Sequence, residues 1–171
     1  MKLLMISGDR SLAAGKAGAF SETLRELCKH FERIDILCPA PPPNPSPAHS
    51  IGSGQAGGGE KQQVRVIHNN VYIHSSPHGL WYQSFWILKK GKELFAVHHH
   101  NVATVHEYPP FYNGIGARLL KRKIGIPAAL EIHHIVGWPS ASSLSESIGR
   151  MLSKFFLASH TKKFDAVRVV N

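Results

Sequence analysis

The chain has 171 residues, 43% hydrophobic and 18% charged, which fits one globular domain with an ordinary core and excludes a chain that is disordered throughout. Twenty Lys and Arg stand against eleven Asp and Glu, a formal +9 with histidines neutral, so the favoured partners are anionic: phosphates, nucleic acid or an acidic membrane face. Two cysteines, Cys28 and Cys38, make neither a disulfide framework nor a four-ligand metal set, and read as reduced thiols of a cytosolic protein.

The opening residues, MKLLMISGDR, have too short an apolar stretch for a signal peptide and no cleavage site. No run reaches the ~18 apolar residues of a spanning helix, so any membrane contact is expected to be peripheral. Residues 2–7 read as a first strand ending at Gly8 and Asp9, followed by a small flexible loop over 8–18. A helix is expected from about residue 19, capped by Ser21, with Leu24, Leu27, Cys28 and Phe31 on one face. Residues 33–39 (RIDILCP) form a second strand, which completes the opening βαβ unit of a Rossmann-like fold.

Residues 40–63 are rich in Pro and then in Gly and read as a flexible, exposed loop. They precede no helix, which argues against a phosphate loop. Runs at 64–67 and 71–74 around Asn69-Asn70 predict a hairpin, or one strand with an edge segment. A helix follows from residue 80 to about 97, with Trp81, Phe85 and Trp86 among its aromatics and Gly91 in its middle. Neighbours on a helix point about 100° apart, so His98, His99 and His100 cannot share one metal and read as a solvated turn.

Residues 101–105 predict a strand closing on His106, Glu107 and Tyr108. Tyr112, Asn113, Gly114 and Gly116 read as a loop, and 117–123 as a short basic helix. In 127–139 (PAALEIHHIVGWP) a short apolar run exits at His133 and His134, as a buried strand would. A helix starting at Ser142 or Ser143 is expected to turn Ile148, Met151, Leu152, Phe155 and Phe156 inward, and 164–170 form a last strand. The alternation predicts an α/β fold: a Rossmann-like open parallel sheet of about six or seven strands with helices on both faces.

Such sheets bind ligands outside the carboxyl ends of their strands. Those ends carry Gly8 and Asp9, Cys38, His74, His106 and Glu107, and His133 and His134, whereas the opposite ends carry no comparable set. His133 or His106 suits a proton donor or a hydrogen bond to a sugar hydroxyl, and Glu107 suits a base or an acceptor-hydroxyl partner. The GKAG of residues 15–18 is not GxGxxG, and Asp35 lies inside the second strand rather than at its end, which disfavours a nicotinamide dinucleotide. Zinc held by His106, His133 and His134 is a rival use, although HExxH spacing is absent. The aromatic helix and the basic helix leave two readings open: core aromatics with solvated lysines, or docking on an anionic membrane. No nucleic-acid motif is present.

The pieces KLLMISGD, VATVHEYPP, ALEIHHIVGWP and KKFDAVRVVN, in this order, resemble the N-terminal half of a family-4 glycosyltransferase of the GT-B type. The resemblance covers most of the chain outside 40–63. It implies that residues 1–171 are an acceptor-side domain of an enzyme performing retaining transfer of a sugar from a nucleotide-sugar donor to a cell-envelope or polysaccharide acceptor. By the same resemblance, His133 is the catalytic, donor-facing residue, and Asp9, His106, Glu107 and Tyr108 line the acceptor side. Gly15, Lys16 and Gly18 lie near the donor phosphates. No metal and no cofactor beyond the nucleotide-sugar co-substrate are implied. The donor-binding C-terminal domain of such a protein is absent from these residues, so the chain alone is expected to be inactive. Its expected place is the cytoplasm or the inner face of the membrane, with a glycan or glycolipid as second partner. The other reading is a non-catalytic Rossmann-type module for an anionic ligand.

Overall fold

The computed structural model describes residues 1–14, 19–40, 64–77, 79–107, 112–132 and 159–169, with isolated positions at 144, 147, 148 and 151. Strands β1 (Lys2–Ile6), β2 (Arg33–Cys38), β3 (Val64–Ile67), β4 (Val71–Ser75), β5 (Val102–Glu107), β6 (Ala128–Ile132) and β7 (Ala166–Val169) form one sheet. Their order is β3-β4-β2-β1-β5-β6-β7, parallel except for the antiparallel edge strand β3. This is an α/β Rossmann-like fold.

The central strands are apolar throughout because both of their faces are covered. Leu3 and Met5 of β1 join Ile34, Ile36 and Ile73 on one face, beneath Leu12 of α1 (Arg10–Ala14) and Leu24 of α2 (Ala19–Leu27). Leu4 and Ile6 join Leu37, Val105 and Leu130 on the other, beneath Trp86, Ile87 and Leu94 of α3 (Gln83–His98) and Leu120 of α4 (Tyr112–Ile124). Each fully buried side chain of this size contributes roughly 1.5–3 kcal/mol. The short hairpin of β3 and β4 turns through His68 and Asn69, both with left-handed backbone.

Four sequence expectations need correction. Helix α4 begins at Tyr112, not at Ala117, so the glycines expected in a loop are helical. Their role is close approach: a Cβ on Gly116 would lie 2.9 Å from Ile87 Cβ and 2.9 Å from the backbone oxygen of Ser84, both on α3. The aromatics of α3 and the turn before it are divided, Trp86 being buried while Trp81 and Phe85 are 86% and 61% exposed. Positions 81, 85, 89 and 92 follow helical spacing along the solvent side. Ile148 and Met151, expected inward, are 47% and 55% exposed.

The fourth correction concerns the histidine run. His99 closes α3 in left-handed backbone (φ 52°, ψ 63°), its N–H donating to the Phe95 carbonyl at 2.9 Å. That turn sends His100 into the interior rather than to solvent. There its Nε2 meets Asp35 Oδ2 at 2.8 Å, while Nε2 of His74 meets Oδ1 at 2.8 Å. The Arg33 guanidinium adds a forked pair at 2.6 and 3.0 Å and lies 3.7 Å from the Tyr72 ring centroid. An ionised carboxylate only accepts, so both imidazoles present Nε2–H to it. Burial pushes the Asp35 carboxyl upward, but the hydrogen bonds from His100, His74 and Arg33 outweigh it and hold the group well below the usual carboxylate range.

Removing the Asp35 charge leaves Arg33 without its partner, so Asp35→Asn is expected to cost about 3–5 kcal/mol at pH 7. A depressed folded-state pKa stabilises fully above the unfolded value of about 3.9 and loses that contribution as pH falls toward the folded value. Urea unfolding of both proteins at pH 7 and pH 3 checks this. The difference between them should narrow at pH 3; an unchanged difference would show that Asp35 is not held as an ion.

Candidate functional site at the carboxyl strand ends

The chain runs from β1 to β2 on one side and later returns to β5 on the other, so the strand order reverses between β1 and β5. The crevice outside the carboxyl ends at such a reversal is where open α/β sheets hold ligands. Here it is bounded by Ser7, Gly8 and Asp9 after β1 and by His106 and Glu107 ending β5. Neighbouring β6 ends at Ile132, in register with Glu107, and leads toward His133. Of the expected site residues, Asp9, His106 and Glu107 are described. Gly15, Lys16, Gly18, Tyr108 and His133 lie outside the described residues.

Asp9 has a structural task. Its Oδ1 accepts from the Ser11 N–H at 2.8 Å and from the Ser11 hydroxyl at 2.6 Å, capping α1, and its own N–H donates to Ser7 Oγ at 3.2 Å. The cap fixes the path of the chain as it leaves β1 at the mouth of the crevice.

His106 and Glu107 share a strand end but not a face, because successive side chains alternate across a strand. His106 points to the α2 side. Its buried ring stands edge-on to Phe20 at 4.9 Å between centroids, and its Nε2 lies 3.5 Å from Glu131 Oε2. Glu131 is the register partner of both His106 and Arg168, whose Nη1 is 3.9 Å from the other carboxylate oxygen. A histidine, a carboxylate and a guanidinium thus run across β5, β6 and β7.

Glu107 points to the opposite, α4 side, where it is 2% exposed. Its carboxylate occupies the space that a Cβ on Gly114 would fill, and His160 Nδ1 lies 3.8 Å from that same point. Asn113 Nδ2 donates to the His106 carbonyl at 3.1 Å and ties the first turn of α4 to the end of β5. Burial, and then the charge of Arg118, lower the His160 pKa, so the ring is neutral at pH 7.

Sequence reasoning missed Glu131 and His160. Glu131 carried a signal: a charged residue within an otherwise apolar run, at the alternating position. His160 carried none, since only the packing of α4 brings it to Glu107. Among the described residues no group of three His, Cys, Asp or Glu side chains could hold a metal ion. His106, Glu107 and Glu131 bring hydrogen-bonding groups to this end of the sheet, His106 and Glu107 with little of their surface open to solvent.

No family model matches this chain, and no curated protein matches it. Among solved structures it is similar to the UDP-GlcNAc 2-epimerase of Methanocaldococcus jannaschii, with a TM-score of 0.52 and 14% identity over 100% of this chain and 40% of that one. It is also similar to a Listeria monocytogenes protein assigned as a UDP-N-acetylglucosamine 2-epimerase, with a TM-score of 0.49 and 13% identity over 97% of this chain and 37% of that one. The chain therefore spans about 40% of the length of the first of these, and the likeness is one of fold.

The contact between Glu107 and Gly114 is testable by a double-mutant cycle. Gly114→Ala drives a methyl group into the buried carboxylate and should destabilise by about 1–3 kcal/mol, as overpacking does. In a Glu107→Ala background most of that cost should vanish, giving a coupling of about 1 kcal/mol or more in denaturant unfolding. Equal costs in both backgrounds would contradict the contact.

Proposed function

We propose that this chain is the acceptor-side domain of a retaining, nucleotide-sugar-dependent glycosyltransferase, one half of a GT-B architecture. The observation that carries the reading is the reversal of strand order between β1 and β5, with Glu107 and His106 at its mouth and His133 following β6. The name of the Methanocaldococcus neighbour supports a nucleotide sugar as the ligand. The pieces VATVHEYPP and ALEIHHIVGWP support transfer rather than another nucleotide-sugar reaction.

In this reading the donor-binding half lies outside these 171 residues and presents its sugar to the crevice. His133 hydrogen-bonds the donor sugar near the reacting carbon. Glu107 and His106, with Tyr108 beyond them, receive the acceptor, a cell-envelope glycan or glycolipid. Gly15, Lys16 and Gly18 are assigned to the donor phosphates. Asp9 holds the chain path between these parts through its cap on α1. The protein works in the cytoplasm, and its exposed Trp81 and Phe85 beside Lys89 and Lys92 suit contact with the inner face of a membrane.

A second reading, a non-catalytic module for an anionic ligand, is favoured by the net charge of +9. Calorimetry separates the two: tight nucleotide-sugar binding by these 171 residues alone supports the module and opposes a divided site. In the protein completed by its donor-binding half, His133→Ala should lower turnover by about 10²-fold or more, the scale of losing one hydrogen bond made to the transition state. Far-UV circular dichroism should be unchanged. Full turnover in the variant would sink the assignment of His133.

A further inference from the structure

A second concavity opens along the outer side of α4. It encloses about 740 Å³ between that helix and the residues leading into β7, and it starts where His160 backs onto the Glu107 site. A volume of this size holds one small molecule. Arg118, Arg122 and Lys163 stand on its rim. The acidic residue of the described lining, Asp165, is already engaged: it accepts from Lys121 Nζ at 3.1 Å and from the Ala128 N–H at 2.7 Å. Among the described residues no carboxylate pairs with Arg118, Arg122 or Lys163. The wall between these cations is hydrocarbon, formed by Ile115, Leu119 and Ile126.

Each half of this lining selects a different part of a ligand. Clustered guanidinium and ammonium groups favour a phosphate, which arginine binds through parallel hydrogen bonds. Cations alone would serve inorganic phosphate equally well, but an apolar wall beside them does not. Leu119, on the solvent side of the helix and 36% exposed, gains nothing from a purely ionic ligand. A phosphate joined to a hydrocarbon chain satisfies both halves at once.

We propose that the cleft between α4 and the residues preceding β7 binds a phosphate-bearing lipid, its phosphate on Arg118, Arg122 and Lys163 and the first part of its chain along Ile115, Leu119 and Ile126. This site is independent of the sugar-transfer reading, since it uses no strand-end residue. It also differs from a general attraction to anionic membranes, because it takes a single lipid molecule into a concavity.

Calorimetry with short-chain lipids below their micelle concentrations tests it. Dihexanoyl phosphatidic acid should bind, with inorganic phosphate and dihexanoylglycerol, which carries no phosphate, each at least tenfold weaker. The pair Arg118→Glu and Arg122→Glu should weaken phosphatidic acid binding at least tenfold. Leu119→Ser should weaken it severalfold without changing the response to phosphate. Arg118, Leu119 and Arg122 are all on the solvent side of α4, so unaltered thermal melting is expected, and the Gln pair replaces the Glu pair if the latter melts early. Absence of phosphatidic acid binding would overturn the proposal, as would binding that ignores the arginine changes. Phosphate as tight as phosphatidic acid would mean a plain anion site, and dihexanoylglycerol as tight would mean an apolar groove; either also overturns it.

Discussion

The fold depends on one buried charge. Asp35 lies in the middle of β2 and is closed off from solvent, where an uncompensated carboxylate would cost several kcal/mol. Four hydrogen bonds from three side chains compensate it. Those side chains come from different parts of the chain: Arg33 from its own strand, His74 from β4 and His100 from the entry to β5. Strand β1 lies between β2 and β5, so the network spans the centre of the sheet beneath α3. The hydrogen bonds to this one carboxylate tie β2, β4 and the entry to β5 together at one point.

The strand order reverses between β1 and β5. With β2 and β4 fixed on one side of β1 and β5 fixed on the other, the carboxyl ends of β1 and β5 face a common crevice. The end of β5 then divides its two polar residues. His106 joins Glu131 and Arg168 across the sheet, and Glu107 turns to Gly114 and His160 under α4. One crevice therefore has two differently built walls. The first is a histidine, a carboxylate and a guanidinium in a line on the α2 side; the second is a buried carboxylate held close to a glycine on the α4 side.

Much of the architecture was legible in the sequence because it follows from period and punctuation. The apolar runs of β1, β2 and β6 could be placed from local pattern alone, and a turn around Asn69 and Asn70 to within one residue of the observed His68 and Asn69. What escaped depends on distant partners. Gly114 and Gly116 look like helix breakers until α3 and the Glu107 carboxylate are seen to fill the space a side chain would need. The histidine run at 98–100 looks solvated until Asp35, far away in sequence, draws His100 inward. His106 and Glu107 are neighbours in sequence, and alternation along the strand turns them to opposite faces of the sheet.

The central claim is that the carboxyl ends of β1, β5 and β6 form one ligand face. Hydrogen exchange read by mass spectrometry tests it most directly, comparing the protein completed by its donor-binding half with and without a panel of UDP- and GDP-sugars. The account predicts that a sugar which binds slows exchange in peptides covering residues 7–9, 106–108 and 133–134, and leaves the amino ends of the same strands unchanged. Slowing confined to the amino ends, or to the edge strand β3, would contradict it.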